Sequence, residues 1–360
     1  MSNPVKINFI LPYKARRPAG GFRVMYEYAN RLALKGYDVH LTYPIETAYM
    51  NYRLPYAARC LLAKVERFST GKWFKFDPSI TMSYVPHVED KYVVDADIVI
   101  ATWWSTVLEM DKLGPSKGKK INLIQGFENW EGRVDLLYKS YDLPLVTNIV
   151  VASYLHDIVR QHTKKPIDII HNAISKEDFG VDTPIEARNK YQVAMTYSTQ
   201  EIKGSKYGLE ALKLAKEQVP ELQAELFGVG PTPSDLPNWV TYHRDPKNLR
   251  EIYNRAAIFL SNSFTEGFPL TPAEALFCGC ALICTDIDGH KEFALDNDTA
   301  LLVEVRNVEQ MAQKIVELVA DDNKRTTLAS RGNIYIKRFV WDNSVEKMER
   351  VIHKLLSCAD

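Results

Sequence analysis

Two glutamates set eight positions apart, Glu266 and Glu274, lie within Phe264-Thr265-Glu266-Gly267-Phe268-Pro269-Leu270-Thr271-Pro272-Ala273-Glu274. Pro272 suits the first turn of a helix, so the pattern reads as one acid ahead of a helix and a second near its start. The loop between them can aim backbone N–H groups at a phosphate. A carboxylate on the helix can accept two hydrogen bonds from a ribose diol. Acids that merely complement a helix N-terminus are the competing reading.

A weaker signal is Pro18-Ala19-Gly20-Gly21. Glycines at such a junction let the backbone approach a ligand closely, and a tight turn explains them equally well. The G-x-G-x-x-G fingerprint of a dinucleotide site is absent. Asp95/Asp97 and Asp286/Asp288 have the D-x-D look of a metal motif. The second pair flanks a turn ending in Gly289, where Asp is favoured for backbone reasons, and the first precedes an apolar run. No metal site is expected at either. His87, His162 and His353 lack partners in the pattern and read as packing or surface residues. Cys278, Cys280 and Cys284 sit in a small-residue run without C-x-x-C spacing, which favours buried thiols over a metal site. Cys60 and Cys358 complete a set with no secreted disulfide pattern.

The elements that must carry these residues alternate. Apolar strands are expected at Lys6–Leu11, Val39–Tyr43, Asp97–Ala101, Ile121–Ile124, Asn148–Ala152 and Asp168–Ile170, with helical spacing through Phe22, Met25, Ala29 and Leu32. A polar stretch from Ser175 to Lys190 contains Pro184 and no apolar period, so it reads as an interdomain linker. The alternation restarts with strand Gln192–Tyr197, helix Tyr207–Gln218, strand Gln223–Phe227, helix Leu249–Ala257, strand Ile258–Ser263, helix Pro272–Phe277, strand Ala281–Cys284 and helices from Val308. Strand–helix alternation predicts parallel sheets covered on both faces, which bind ligands at the carboxyl ends of their strands. The 360-residue length suits two such domains. Equal numbers of acidic and basic residues give no global field favouring nucleic acid. The N-terminal apolar run is too short for a signal-peptide core and no run reaches bilayer-spanning length, so a cytoplasmic protein is expected.

The stretch EGFPLTPAEALFCGCALICTDIDGHKEF, with its E-x7-E signature at Glu266 and Glu274, resembles the retaining glycosyltransferases of family 4. Gly20-Gly21 is similar to that family's N-terminal glycine loop. Val151–Tyr154, Ile170–Ile174 and Phe339-Val340-Trp341 resemble its later signatures, so the likeness extends along nearly the whole chain. The resemblance implies a GT-B fold: two Rossmann-like, doubly wound α/β domains facing a central cleft. It places an acceptor domain at residues 1–175, a nucleotide-sugar donor domain at 190–341, and a last helix at about 342–360 packed back on the first domain. It implies that Glu274 binds the donor ribose and Glu266 lies beside the transferred sugar. The backbone of Gly267, Phe268, Pro269 and Leu270 would lie against the diphosphate, though Pro269 offers no N–H. Lys203 matches the lysine that neutralises the diphosphate, and Lys206 is a second cation nearby. Arg244 falls in a segment that loosely matches the region near the base.

Two departures matter. The arginine usual five positions before the lysine is Ser198, followed by Thr199 and Gln200, so hydroxyl or amide donors would take its place. The acceptor-facing histidine is missing from Ile124-Gln125-Gly126-Phe127-Glu128-Asn129-Trp130, which leaves Glu128 as the candidate for handling the acceptor hydroxyl, or else as the cap of a helix near Trp130. The segment Arg53–Lys75 has six basic side chains against one acidic, with aromatics between them, and could rest on an anionic membrane surface. The expected function is therefore retaining transfer of a hexose or deoxyhexose from a nucleotide diphosphate sugar to a glycan or lipid-linked acceptor. No cofactor, metal or nucleic acid is required, and peripheral membrane contact is expected on the cytoplasmic side. The alternatives are a nucleotide-sugar epimerase on the same scaffold and a non-catalytic binding protein of the same fold.

Overall fold

The computed structural model describes residues 4–66, 73–129 and 132–357. The chain divides into two compact units, residues 1–171 with 344–360, and residues 172–343.

The first unit is built from β1 (Lys6–Ile10), α1 (Gly20–Leu34), β2 (Asp38–Pro44), α2 (Tyr56–Glu66), β3 (Thr81–Val85), β4 (Ile98–Ala101), α3 (Trp104–Met110), β5 (Lys119–Ile124), α4 (Val134–Tyr141), β6 (Val146–Val150), α5 (Ser153–Arg160) and β7 (Ile167–Ile169). Its seven strands pair in parallel in the order β3-β2-β1-β4-β5-β6-β7. At the centre β4, Ile-Val-Ile-Ala, is apolar and fully buried, as suits a strand covered on both faces.

The second unit contains β8 (Gln192–Thr196), α6 (Ser205–Gln218), β9 (Gln223–Gly228), β10 (Val240–Arg244), α7 (Leu249–Arg255), β11 (Ile258–Ser261), α8 (Leu270–Phe277), β12 (Ala281–Thr285), α9 (Asp288–Lys291), β13 (Ala300–Val303), α10 (Val308–Ala320) and α11 (Asp322–Ile336). Six parallel strands run in the order β10-β9-β8-β11-β12-β13. The core joins Val193, Met195, Leu226, Ile258, Leu260 and Ile283 of the sheet to Leu212, Ile315 and Leu318 of the covering helices. In both sheets the strand order reverses beside the first strand, between β1 and β4 and between β8 and β11. The loops that leave the carboxyl ends of the strands at such a reversal splay apart and form a binding crevice.

Both sheets are thus doubly wound and parallel, as the alternation predicts. The polar stretch read as a linker is fixed within the second unit. Arg188 is buried and donates to the carbonyls of Thr183, Tyr253, Ala256 and Cys278, while Asn254 accepts the amides of Asp182 and Thr183. A buried guanidinium collecting carbonyls leaves no periodic trace in a sequence. The last helix, α12 (Trp341–Ser357), begins in the second unit and continues into the first. There Ser344 donates to the His171 carbonyl and Glu349 pairs with Lys35.

Candidate functional site

The loop that follows β8 and the loop that follows β11 meet. Lys203, closing the 3-10 turn Glu201–Lys203, places Nζ 2.6 Å from Glu266 Oε1. Ser263 Oγ donates to the same oxygen at 2.7 Å. The lysine side chain is 37% exposed and the glutamate 18%, so the pair sits at the surface of the second unit where a ligand could reach both charges. Lys206, in the first turn of α6, is exposed beside it.

Local chemistry forces this meeting. Gly204 has φ +60° and its α-carbon lies against the Asn262 carbonyl, leaving no space for a side chain. The turn is tied further by Ser205, whose Oγ accepts the Ser198 amide and donates to the Thr196 carbonyl. On the other side Gly289 packs on the carbonyls of Glu266 and Gly267. Beneath, Thr285 Oγ1 donates to the Ser263 carbonyl at 2.6 Å. His290 is fully buried, with Nδ1 2.8 Å from the Thr285 carbonyl and Nε2 2.8 Å from Ser261 Oγ. The carbonyl partner puts the proton on Nδ1, leaving Nε2 to accept from the serine. Burial pushes this imidazole down to about 4, so it is neutral at physiological pH.

The remaining expected donor-side residues fall in the second unit as follows. Leu270 opens α8 after Pro269, so the amides of its first turn, other than that of Pro272, face the end of the Glu266 loop. The Phe268 ring is packed on Phe293 and Phe339, which leaves only its backbone for a ligand. Glu274 is 3% exposed and accepts from the Tyr253 hydroxyl at 3.0 Å. A ribose diol at that carboxylate would have to share it with Tyr253. Ser198 Oγ accepts the Gln200 amide, a bond that does not use its O–H, while Thr199 is exposed beside it. Arg244 ends β10 and is exposed. Asp286 and Asp288, of the D-x-D pair, both face Lys291, at 2.9 and 3.7 Å.

In the first unit Gly20 and Gly21 are the first two residues of α1 rather than a loop ahead of it, and neither has a positive φ. Gln125 Nε2 donates to the Gly21 carbonyl and to Thr102 Oγ1, each at 3.1 Å. Glu128 is 6% exposed, and its Oε2 accepts the Trp104 amide at 2.9 Å. It therefore completes the start of α3, which lies earlier in the chain; the expected cap of a helix near Trp130 falls on a residue outside those described. The Arg53–Lys75 segment is also turned differently from the expectation. Arg59 donates to the carbonyls of Ile45 and Leu54 and lies over the Tyr52 ring. Trp73 donates to the Ala15 carbonyl, and Trp73 and Phe74 pack on Tyr26. Arg67 and Lys72 lie outside the described residues, as does Cys358. Among the described residues no helix is long and apolar enough to cross a membrane.

Four participants escaped sequence reasoning: Ser263, Tyr253, His290 and Arg306. Arg306 lies over the Phe264 ring, 4.6 Å from its centroid, and 3.8 Å from Glu201. Only Ser263 had a signal in the chain, being three positions before Glu266; the others arrive from α7, from the turn after β12 and from beyond β13.

Residues 192–321 match the family described as Glycosyl transferases group 1. Among characterised relatives, the poly(glycerol-phosphate) alpha-glucosyltransferase of Bacillus subtilis is 22% identical over 46% of this chain and 26% of its own length. The N-acetylgalactosamine-N,N'-diacetylbacillosaminyl-diphospho-undecaprenol 4-alpha-N-acetylgalactosaminyltransferase of Campylobacter jejuni is 26% identical over 57% of this chain and 58% of its own. The chain spans about a quarter of the length of the first curated relatives it matches. Among solved structures, sucrose-phosphate synthase from Thermosynechococcus elongatus superposes with a TM-score of 0.73 at 14% identity, covering 99% of this chain and 100% of that one. TarM gives a TM-score of 0.73 at 12% identity over 98% and 99%. The HepE protein of Anabaena, solved with UDP and glucose, gives 0.69 at 13% over 98% and 100%. The fold is thus that of the GT-B glycosyltransferases, and the match to the glycosyl transferases group 1 family lies within the second unit.

Proposed function

We propose that this chain is a nucleotide-sugar-dependent glycosyltransferase. It moves a hexose or deoxyhexose to a hydroxyl of a glycan or lipid-linked acceptor, with the anomeric configuration retained. The observation that carries the reading is the Lys203–Glu266 pair at the strand-order reversal of the second sheet. As the bond from the anomeric carbon to the diphosphate oxygen breaks, negative charge grows on the leaving group. Lys203, Lys206 and the first-turn amides of α6 and α8 are placed to meet that charge, and such fixed donors cost no reorganisation as the bond breaks. This reading gives the leaving-group charge to side chains and amides and calls on no metal ion.

Glu266 stands beside the transferred sugar and holds Lys203 in place before the donor arrives. Glu274 takes the ribose from α8, sharing its carboxylate with Tyr253, and Arg244 and Thr199 lie towards the nucleotide. Gly20 and Gly21 open α1 in the acceptor unit, where Glu128 is assigned to the acceptor hydroxyl. Peripheral attachment to an anionic membrane remains part of the reading on a smaller set of residues, Arg53, Lys64 and the exposed Leu54, Tyr56 and Leu61. Relatives named for glucosyl-, mannosyl- and N-acetylgalactosaminyl transfer support a sugar-nucleotide donor.

The test is a melting-temperature screen against UDP-, GDP-, dTDP- and ADP-sugars, followed by product analysis with the donor that stabilises the fold. Transfer to an acceptor supports the reading. Interconversion of the free sugar nucleotide without an acceptor would replace it with an epimerase.

A further inference from the structure

Among the described residues four other than glycine have a positive φ: Trp103, Asp245, Asn297 and Arg306. Asp and Asn visit this region readily, because their short side chains can bond locally. Trp103 packs on Tyr13 and Phe22 in the first unit. Arg306, at φ +66° in the second unit, is a long side chain held where a Cβ is unfavourable. The turn after β13 accounts for the backbone. The Val308 amide donates to the Arg306 carbonyl at 3.1 Å, the Asn307 amide to the Glu304 carbonyl at 3.2 Å, and the Asn307 side chain caps α10 through the Gln310 amide at 2.9 Å. Glycine would meet that φ and those bonds without strain. What glycine could not supply is the side chain, so a role is to be sought in what the guanidinium touches.

It touches a joint between two loops. The turn Glu201–Lys203 follows β8, and Phe264, two positions before Glu266, follows β11. The Phe264 amide donates to the Ile202 carbonyl at 2.8 Å and ties one loop to the other. The Phe264 ring meets the Tyr207 ring at 5.5 Å and lies so close to Gly204 that a Cβ there would come within 3.0 Å of it. To this assembly the guanidinium adds two contacts: it lies 4.6 Å from the centroid of the Phe264 ring and 3.8 Å from Glu201, the residue that opens the turn Lys203 closes. The ion pair joins two exposed side chains and is weak by itself. A planar cation over a ring fixes both. The ion pair also engages Glu201, the acid nearest Lys203 in the chain, and so leaves Lys203 to Glu266.

We propose that Arg306 is a positioning residue: it clamps the Lys203 turn to the Glu266 loop and so sets the geometry of the pair assigned to the leaving group and the transferred sugar. The proposal rests on the transferase reading and deepens it, since Arg306 acts through Lys203 and Glu266 rather than on a reacting atom. A misplacement of about 1 Å at the chemistry can cost on the order of 10²-fold in rate, so a clamp remote from the sugar can control turnover.

The experiment uses the full chain and three variants at this exposed position. Arg306→Ala removes the guanidinium and keeps the strained backbone, whereas Arg306→Gly removes both. Glycine tolerates a positive φ and alanine does not, so Arg306→Gly should melt no lower than Arg306→Ala. Turnover should follow the side chain instead. In both variants kcat for transfer is expected to fall at least about tenfold, with the donor Kd changed less than about threefold. Arg306→Lys keeps the charge without the plane and should recover only part of the loss. Hydrogen exchange adds a readout that needs no turnover: the Phe264 amide should exchange at least about tenfold faster in Arg306→Ala and Arg306→Gly than in the parent, while the amides of β8 and β11 keep their rates. Unchanged exchange at Phe264, or kcat within about twofold of the parent in the folded variants, would overturn the proposal. So would full recovery of kcat by Arg306→Lys, or a loss confined to donor affinity, which would make Arg306 a ligand contact instead. The two readings separate. A parent chain that transfers from no donor loses the transferase reading, and the exchange measurement still decides whether Arg306 holds the joint.

Discussion

Lys203 and Glu266, 63 residues apart in the chain, meet at 2.6 Å because the loops after β8 and β11 leave adjacent strands at the point where the strand order reverses. The cation assigned to the leaving group is therefore already balanced by the anion assigned to the sugar. Glu266→Gln keeps the shape, removes the charge and leaves an amide oxygen for Ser263. We expect turnover to fall on the order of 10²–10³-fold, the scale seen when one fixed electrostatic partner is removed, with only modest loss of donor affinity. Steady-state kinetics beside calorimetry of donor binding checks this. Near-normal turnover would take Glu266 out of the chemistry.

Glu274→Ala should have two effects. It leaves the Tyr253 hydroxyl buried without its acceptor, which costs stability on the order of 1–3 kcal/mol. It should also weaken nucleotide binding when measured well below the melting midpoint, because the ribose loses its carboxylate. Burial already holds the Tyr253 hydroxyl well above its ordinary range, with the neighbouring Glu274 charge adding to the effect, so Tyr253 acts as a donor throughout. Lost stability with unchanged nucleotide affinity would make Glu274 a purely structural acid.

His290 should govern acid stability. Its folded value of about 4 lies below the ordinary 6.5 because burial disfavours the charged ring. Between these values the unfolded chain binds the proton and the folded chain does not, so stability rises with pH across that window and the full contribution is present above pH 6.5. On acidification it is lost progressively, to roughly 3 kcal/mol at pH 4 at about 1.4 kcal/mol per unit. Denaturant melts of His290→Gln between pH 4 and 7 should show a shallower pH dependence than the parent; parallel curves would assign the acid sensitivity elsewhere.

Glu128→Gln preserves an oxygen for the Trp104 amide, so the variant should fold normally, transfer more slowly and bind donor as before. Glu128→Ala should instead lose stability of about 1 kcal/mol or more, as loss of a helix-capping acceptor does. Equal turnover in Glu128→Gln and the parent would reduce Glu128 to its part at the start of α3.

The central strands and the two α/β units were legible because a strand buried on both faces must be apolar along its length, as β4 and β12 are. The three strands not foreseen, β3, β10 and β13, are all sheet edges. In β3 and β10 partial exposure breaks the apolar run. For the candidate site, the residues carried by a contiguous motif could be named, and their partners could not. Tyr253 reaches Glu274 from α7 and His290 supports Ser261 from the turn after β12, contacts that exist only once the sheet is assembled. Within the Arg53–Lys75 segment two side chains depart from the compositional reading. Its composition suggested a solvent- or lipid-facing strip, but hydrogen bonds turn Arg59 and Trp73 back onto the protein.

The most direct test of the account is the response of the parent chain and Lys203→Ala to the same sugar nucleotide. Charge on the diphosphate increases as the glycosidic bond breaks, so the lysine should matter more in the transition state than in the bound ground state. The account predicts that one of the UDP-, GDP-, dTDP- or ADP-sugars raises the melting temperature of both proteins, while kcat for transfer falls far more in Lys203→Ala than donor affinity does. A parent chain stabilised by none of these donors, or a Lys203→Ala variant with undiminished kcat, would contradict it.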